Sequence, residues 1–243
     1  NLKPGFCIFN LLWWQADKVR VMHTKSKYRY LLIMLISLTL YSSMVGASAE
    51  SHTDNEAFNA AVKAVKARDY SEALILFEQQ ANDAKHDAQY NMAVLSQAGK
   101  GRPRNYPDAL YWSWLAQLGG IEEAEDIAND MLDILTEDDV KAVRVRVFEN
   151  LQSRLENGEI NAISQFADYH LKMLEEPDRG TAYIWYSIAV ALNIPDMIDR
   201  RDNTENEIEA KELARLQTEA SALFKKYDFA PFNSKEVGDA SES

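Results

Sequence analysis

Cysteine is almost missing from this chain: Cys7 is the single thiol in 243 residues. A disulfide-stapled scaffold needs pairs, so that class is excluded. Histidine is nearly as scarce. Beyond residue 49 only His52, His86 and His170 remain, and no two of them stand at the i, i+4 spacing of a zinc-binding helix. No metal site and no cofactor is expected. The acids Asp196, Asp199, Asp202, Glu205 and Glu207 lack the register of a calcium loop and read as a solvated loop. There is no G-x-S-x-G elbow and no S-x-x-K signature, so no catalytic set emerges and the chain is read as a non-enzyme. The glycine-containing run 98–104 lacks both the GK[ST] ending and a preceding strand, which removes a phosphate-cradling loop.

Basic residues are also in the minority, 26 against 38 acidic ones. Residues 1–49 hold six of the basic and one of the acidic, which leaves 20 against 37, a net of −17 over the remainder. A body so acidic repels phosphate backbones, and nucleic acid is not expected as a partner. Long apolar runs are lacking too. The longest, 31–40, is about half the roughly 20 residues a spanning helix needs. It stands after Lys25, Lys27 and Arg29 and before Ala47-Ser48-Ala49, in the order charged, apolar, small. That order predicts a secretory leader over 22–49, cleaved after Ala49, with no stable membrane anchor left afterwards. Residues 1–21 are aperiodic and are expected to be an upstream segment outside the fold, or else an extended n-region.

What the chain does have is helical periodicity. Residues 50–69 contain Phe58, Ala61, Val62 and Val65 on one stripe, an N-terminal capping helix. Tyr70, Ala73, Leu76, Gly99 and Gly101 open a pattern that restarts thirty-six residues later: Tyr106 matches Tyr70, Ala109 matches Ala73 and Gly120 falls where Ala84 sits. A fixed period of this size marks a stacked helical repeat. Small residues on the inner stripes, such as Ala73, Ala81, Ala88 and Ala93, let antiparallel helices approach to about 8–10 Å. Thr136 with acids behind it reads as a helix start, and Asn157-Gly158 as a stop. Thr204 is read the same way, as the start of a helix over 205–227.

The run Asp69, Tyr70, Ala73, Phe77, Ala81, then Ala88, Gln89, Tyr90, Asn91, then Gly99 and Gly101 resembles a Sel1-like repeat, a relative of tetratricopeptide repeats. The likeness is clear over 70–129 and returns more weakly over 161–194, through Ala162, Phe166, Ala167, Tyr169, Ala182, Trp185, Tyr186 and Ala189. There Glu-Glu-Pro-Asp around Pro177 replaces the glycine turn. The resemblance implies an all-α, right-handed helix–turn–helix solenoid of roughly eight or nine helices after the leader. We read a half-array over 70–155, a degenerate second half over 159–227 that includes a C-terminal capping helix, and a flexible tail over 228–243. It further implies a non-catalytic adaptor for protein partners in the bacterial envelope, periplasmic or secreted. Alternatives within the resemblance are a periplasmic hydrolase of β-lactamase type and an accessory component of a flagellar motor.

One helix departs from simple amphipathicity. Beside its core stripe, 106–118 carries a second apolar stripe at Tyr111, Trp114, Leu115 and Leu118; the matching positions near 188 include Ile184 and Ser187. A helix apolar on two faces is either fully buried or presents a binding patch. These six residues are the candidate partner-binding set, with packing against the second half as the other reading. Export of the full sequence in a Gram-negative host should yield a mature chain beginning at Glu50, read by N-terminal sequencing or intact mass; retention of residues 22–49 would remove the leader assignment.

Overall fold

In a computed structural model the described residues are 55–227, so the expectations for residues 1–49 and for the tail 228–243 lie outside them. Ten helices and no strand occur among the described residues. The first, α1, covers 55–66. It is followed by α2 (Tyr70–Asn82), α3 (His86–Ala98), α4 (Tyr106–Leu118), α5 (Ala124–Leu132) and α6 (Glu137–Glu156). The second half consists of α7 (Asn161–Lys172), α8 (Arg179–Ala191), α9 (Met197–Glu205) and α10 (Ala210–Lys226). From Ala57 onward these helices belong to one compact unit.

Helix boundaries follow side-chain chemistry. Asp69, Asn105 and Asp178 cap α2, α4 and α8, each carboxyl or amide oxygen accepting from the backbone N–H three residues on, at 3.2, 3.0 and 3.0 Å. Thr136 and Asp139 form a reciprocal capping box on α6. Stops are equally regular. Ala84, Gly120 and Asn193 each stand two residues past the end of α2, α4 and α8, and all three take positive φ, at 55°, 93° and 56°. This left-handed step satisfies the last carbonyls and turns the chain into the next helix. Gly99 and Gly101, also left-handed, make the turn out of α3.

Two registers organise the array. Helix α4 begins 36 residues after α2 and ends 36 residues after it. Helices α8, α9 and α10 each begin 73 residues after α4, α5 and α6, at 179, 197 and 210 against 106, 124 and 137. In both halves one central apolar helix, α4 or α8, is packed by the helix before it and by the two that follow. The inner contacts are alanines: Ala73, Ala88, Ala93, Ala109, Ala162 and Ala182 are wholly buried. Phe77 is equally buried and meets the Phe58 ring of α1 edge-on, with centroids 5.6 Å apart.

The acidic segment after α8 departs from expectation. It is not a solvated loop but α9, and Thr204 ends that helix instead of capping the next. Its Oγ1 donates to the Arg200 carbonyl at 2.8 Å and its side chain is buried, as is Met197 at the other end. Met197 and Thr204, seven residues apart, face inward, and between them Arg200 bonds the buried Asp168 carboxylate of α7, so the polar residues of α9 contribute to seating it. This short helix, with α1 counted, takes the described total beyond the eight or nine expected.

Gly101 shows how tightly the first repeat closes. A Cβ there would lie 2.4 Å from the Tyr70 carbonyl oxygen and 2.6 Å from Leu74 Cδ1, whereas one at Gly120 would meet nothing within 4 Å. Both positions carry the left-handed strain, but only Gly101 adds a clash with backbone. Gly120→Ala should cost about 1 kcal/mol, and Gly101→Ala distinctly more; urea melts of the two variants check the order.

Candidate functional site

The six residues of the second apolar stripe separate into two groups. Trp114, Leu115 and Leu118 are buried, as is Ile184, so burial withdraws these four from any surface a partner could meet. The reason is tertiary: α6 packs along α4, α7 packs on both, and α10 packs along α8. Tyr111 is half-buried, edge-on to Trp112 at 4.8 Å, with the Arg146 guanidinium 4.4 Å from its ring centroid. Burial pushes its phenol pKa up, against the pull of Arg146. Ser187 is half-buried, donates to the Tyr183 carbonyl at 2.7 Å, and lines an open cleft.

That cleft has a volume of about 540 Å³ and lies between α8, α9 and α10. Its walls are Tyr183, Ile188, Ala191, Ala220 and Phe224, and its rim carries Arg201, Glu205 and Lys225. Arg201 forks onto its neighbour Asp202, at 2.8 and 2.6 Å. The serines there bond inward to backbone carbonyls, Ser187 to Tyr183 and Ser221 to Gln217, so neither is paired with a base. An apolar trough with charged edges suits a side chain or a helix face better than a reaction.

A second cleft, about 500 Å³, lies between the start of α3, the end of α4, α7 and α9, and is polar. His86 and Gln165 in its wall belong to a chain of hydrogen bonds that joins the two halves. Arg154 donates from Nε to Glu159 and from Nη1 to Gln165 Oε1, both at 2.7 Å. Gln165 Nε2 meets His86 Nε2 at 3.0 Å, and His86 Nδ1 meets Gln89 Oε1 at 2.9 Å. Gln89 then donates to the Ala81 carbonyl at 3.0 Å. A neutral imidazole with its proton on Nδ1 satisfies both neighbours. The ring sits against Gly119, where a Cβ would fall 2.0 Å from His86 Cγ. Further along, the buried carboxylate of Asp168 accepts from the Tyr186 hydroxyl, from Arg200 at 2.9 and 3.0 Å, and from Lys172 at 3.1 Å. Burial, then the Asp168 charge, pushes the Tyr186 pKa up. Arg200 and Lys172 are committed to Asp168, and this network fastens α9 to α7 and α8. Among the described residues no group of three or more His, Cys, Asp or Glu is placed to hold a metal ion.

The sequence reading missed both networks. The available signal was a polar residue inside an apolar stripe: Gln165 stands three residues after Ala162 and four before Tyr169, and Gln89 stands between Ala88 and Met92. His170 is enclosed by Phe148, Phe166 and Tyr169, with centroids 4.9 to 6.4 Å away. Neither of its ring nitrogens has a hydrogen-bond partner, and Asp178 Oδ2 is 3.6 Å from Nδ1.

The paired helices, the buried alanines and the left-handed glycine turn stand where the repeat motif requires them. They fit a Sel1-like repeat protein. A search of solved structures finds a protective antigen of uropathogenic Escherichia coli strains displaying an SLR fold, SLR meaning Sel1-like repeat. Identity is 18% and the TM-score 0.31, with 70% of this chain and 45% of that one covered. This chain therefore spans about half the length of that protein. No family model matches the sequence, and no curated protein matches it. Among the described residues no helix is long and apolar enough to cross a membrane.

Burial lowers the pKa of His86 and of His170 below the ordinary 6.5, against the pull of Gln89 and Asp87 on the first and of Asp178 on the second. Above that value folded and unfolded chains are both neutral at these sites. As pH falls through about 6.5 the unfolded chain takes up protons first, so folding stability declines until the lower folded-state values are passed. The melting temperature should fall between pH 7.5 and 5.5, and His86→Gln combined with His170→Phe should shrink that fall, as measured by calorimetry in the two buffers.

Proposed function

We propose that this protein is a non-catalytic scaffold that binds other proteins, working in the bacterial envelope after removal of its leader. The observation that carries the reading is the open apolar cleft between α8, α9 and α10. It is large enough for a helix face and charged at its rim, and its serine hydroxyls are turned to backbone carbonyls. Stacked helix pairs expose long surfaces built from side chains on rigid elements, and such surfaces bind through complementarity. The acidic body favours basic or mixed-charge partners and disfavours nucleic acid. The envelope location rests on the charged, apolar and small segments of 22–49 read from sequence.

Amine-reactive crosslinking of the full-length protein in intact cells, followed by mass spectrometry, tests this. A defined partner chain, recovered reproducibly and absent without crosslinker, is the expected result. Recovery of the protein alone at every crosslinker length would overturn the reading, as would turnover of nitrocefin by the purified chain, which would point to the hydrolase alternative.

A further inference from the structure

The 73-residue register allows one half to be laid over the other, and the two differ sharply at one face. Trp114 and Leu118 of α4 are matched by Ser187 and Ala191 of α8, and Val147 and Phe148 of α6 by Ala220 and Ser221 of α10. In the first half this face is covered by α7. The Phe148 ring lies 5.4 Å from Phe166 and 6.0 Å from Tyr169. The Tyr169 hydroxyl donates to the Arg144 carbonyl at 3.1 Å, and Arg144 Nε donates to the Met173 carbonyl at 2.8 Å. Trp114, Leu118 and Val147 are buried beneath that cover. In the second half the matching face is the 540 Å³ cleft, and Gln217 stands in the place of Arg144.

The sequence that follows α10 does not repeat α7. Where α7 carries Ile163, Phe166 and Tyr169, the register places Glu236, Asp239 and Glu242. A helix with acids along its inner stripe has no apolar face to bury. The cleft nevertheless keeps Tyr183, Ile188 and Phe224 on its walls. Its floor has lost four large side chains, so what fits there is bulkier than α7.

We propose that the cleft between α8 and α10 accepts an amphipathic helix of a partner protein, seated as α7 is seated on α4 and α6. This rests on the scaffold reading and names its partner's chemistry. The helix runs antiparallel to α10, because α7 runs antiparallel to α6, its C-terminal Met173 lying against Arg144 near the start of α6. Its inward face carries Leu- or Phe-sized residues at i, i+3, i+4 and i+7, filling the volume vacated by Ser187, Ala191, Ala220 and Ser221. Its N-terminus meets the last turn of α10, where Lys225 and Lys226 stand, so its first turn is acidic. In the first half the same junction pairs Arg154 with Glu159, just ahead of α7.

The test uses the full-length chain and two fluorescein-labelled peptides: the α7 sequence 159–174, and the same peptide with Ala162→Leu and Ala167→Leu. A saturable rise in anisotropy is expected, several-fold tighter for the leucine peptide. Ser187→Trp with Ala191→Leu restores the first-half residues and fills the cleft from within; it should weaken binding at least about tenfold, the effect of losing one well-buried anchor. Ser221→Phe, placed on the other wall, should do the same, and helical circular dichroism shows that each variant is folded. Lack of saturable binding by either peptide overturns the proposal, as does unchanged affinity in both folded variants. Binding that appears only after truncation at Tyr227 assigns the cleft to the chain's own residues 228–243 and overturns it too. If crosslinking in cells captures a partner on another face while both peptides fail, the scaffold reading stands and the helix-acceptor site falls.

Discussion

Close approach of helices through alanine is the constraint on which this structure depends. A Cβ-sized contact is what allows antiparallel neighbours to sit within about 8–10 Å, and alanines occupy those crossings in both halves. Once the crossings are fixed, the larger residues can only fill the spaces left over. Phe77, Leu110, Met92 and Tyr186 are among the largest fully buried side chains, and each has a buried alanine within four residues on its own helix. Enlarging an alanine would move a whole helix, whereas trimming an aromatic would leave a void.

Repetition then makes a specific problem at each seam. A stacked repeat buries its outer face only if another helix follows. Between the halves α7 provides that cover, and two polar networks pin it. The chain running from Glu159 through Arg154, Gln165 and His86 to Gln89 ties α7 to the first repeat. The Asp168 cluster ties it to α8 and α9. Removing one partner from such a buried network leaves the other uncompensated, which is costly, and here the networks join α7 to the first repeat and to α8 and α9. In the second half the matching face, between α8 and α10, is the cleft, which no described helix covers.

The periodic parts of the fold were legible in advance for a physical reason: they depend on local spacing. Thr136 caps its helix through atoms three residues away, and the left-handed glycines Gly99, Gly101 and Gly158 act on their own turns; the caps at Asp69 and Asn105 are equally local but were not read from the sequence. The 36-residue repeat and the two halves likewise follow from patterns within one stretch of chain. The fate of α9 was not legible, since polar composition argued for a loop, and the partner that holds its Arg200, the buried Asp168, lies on another helix. Nor was the enclosure of His170, whose aromatic neighbour Phe148 lies on another helix.

The candidate site divides along the same line. That 106–118 carries two apolar faces is a property of the sequence alone, as are the acidity of the body and the scarcity of cysteine. Whether the second face is core or surface was decided by α6, α7 and α10, which bury Trp114, Leu115, Leu118 and Ile184 and leave Ser187 at a cleft wall. Spacing along one helix states which residues share a face; what that face meets depends on elements tens of residues distant, and those contacts form only when the chain packs.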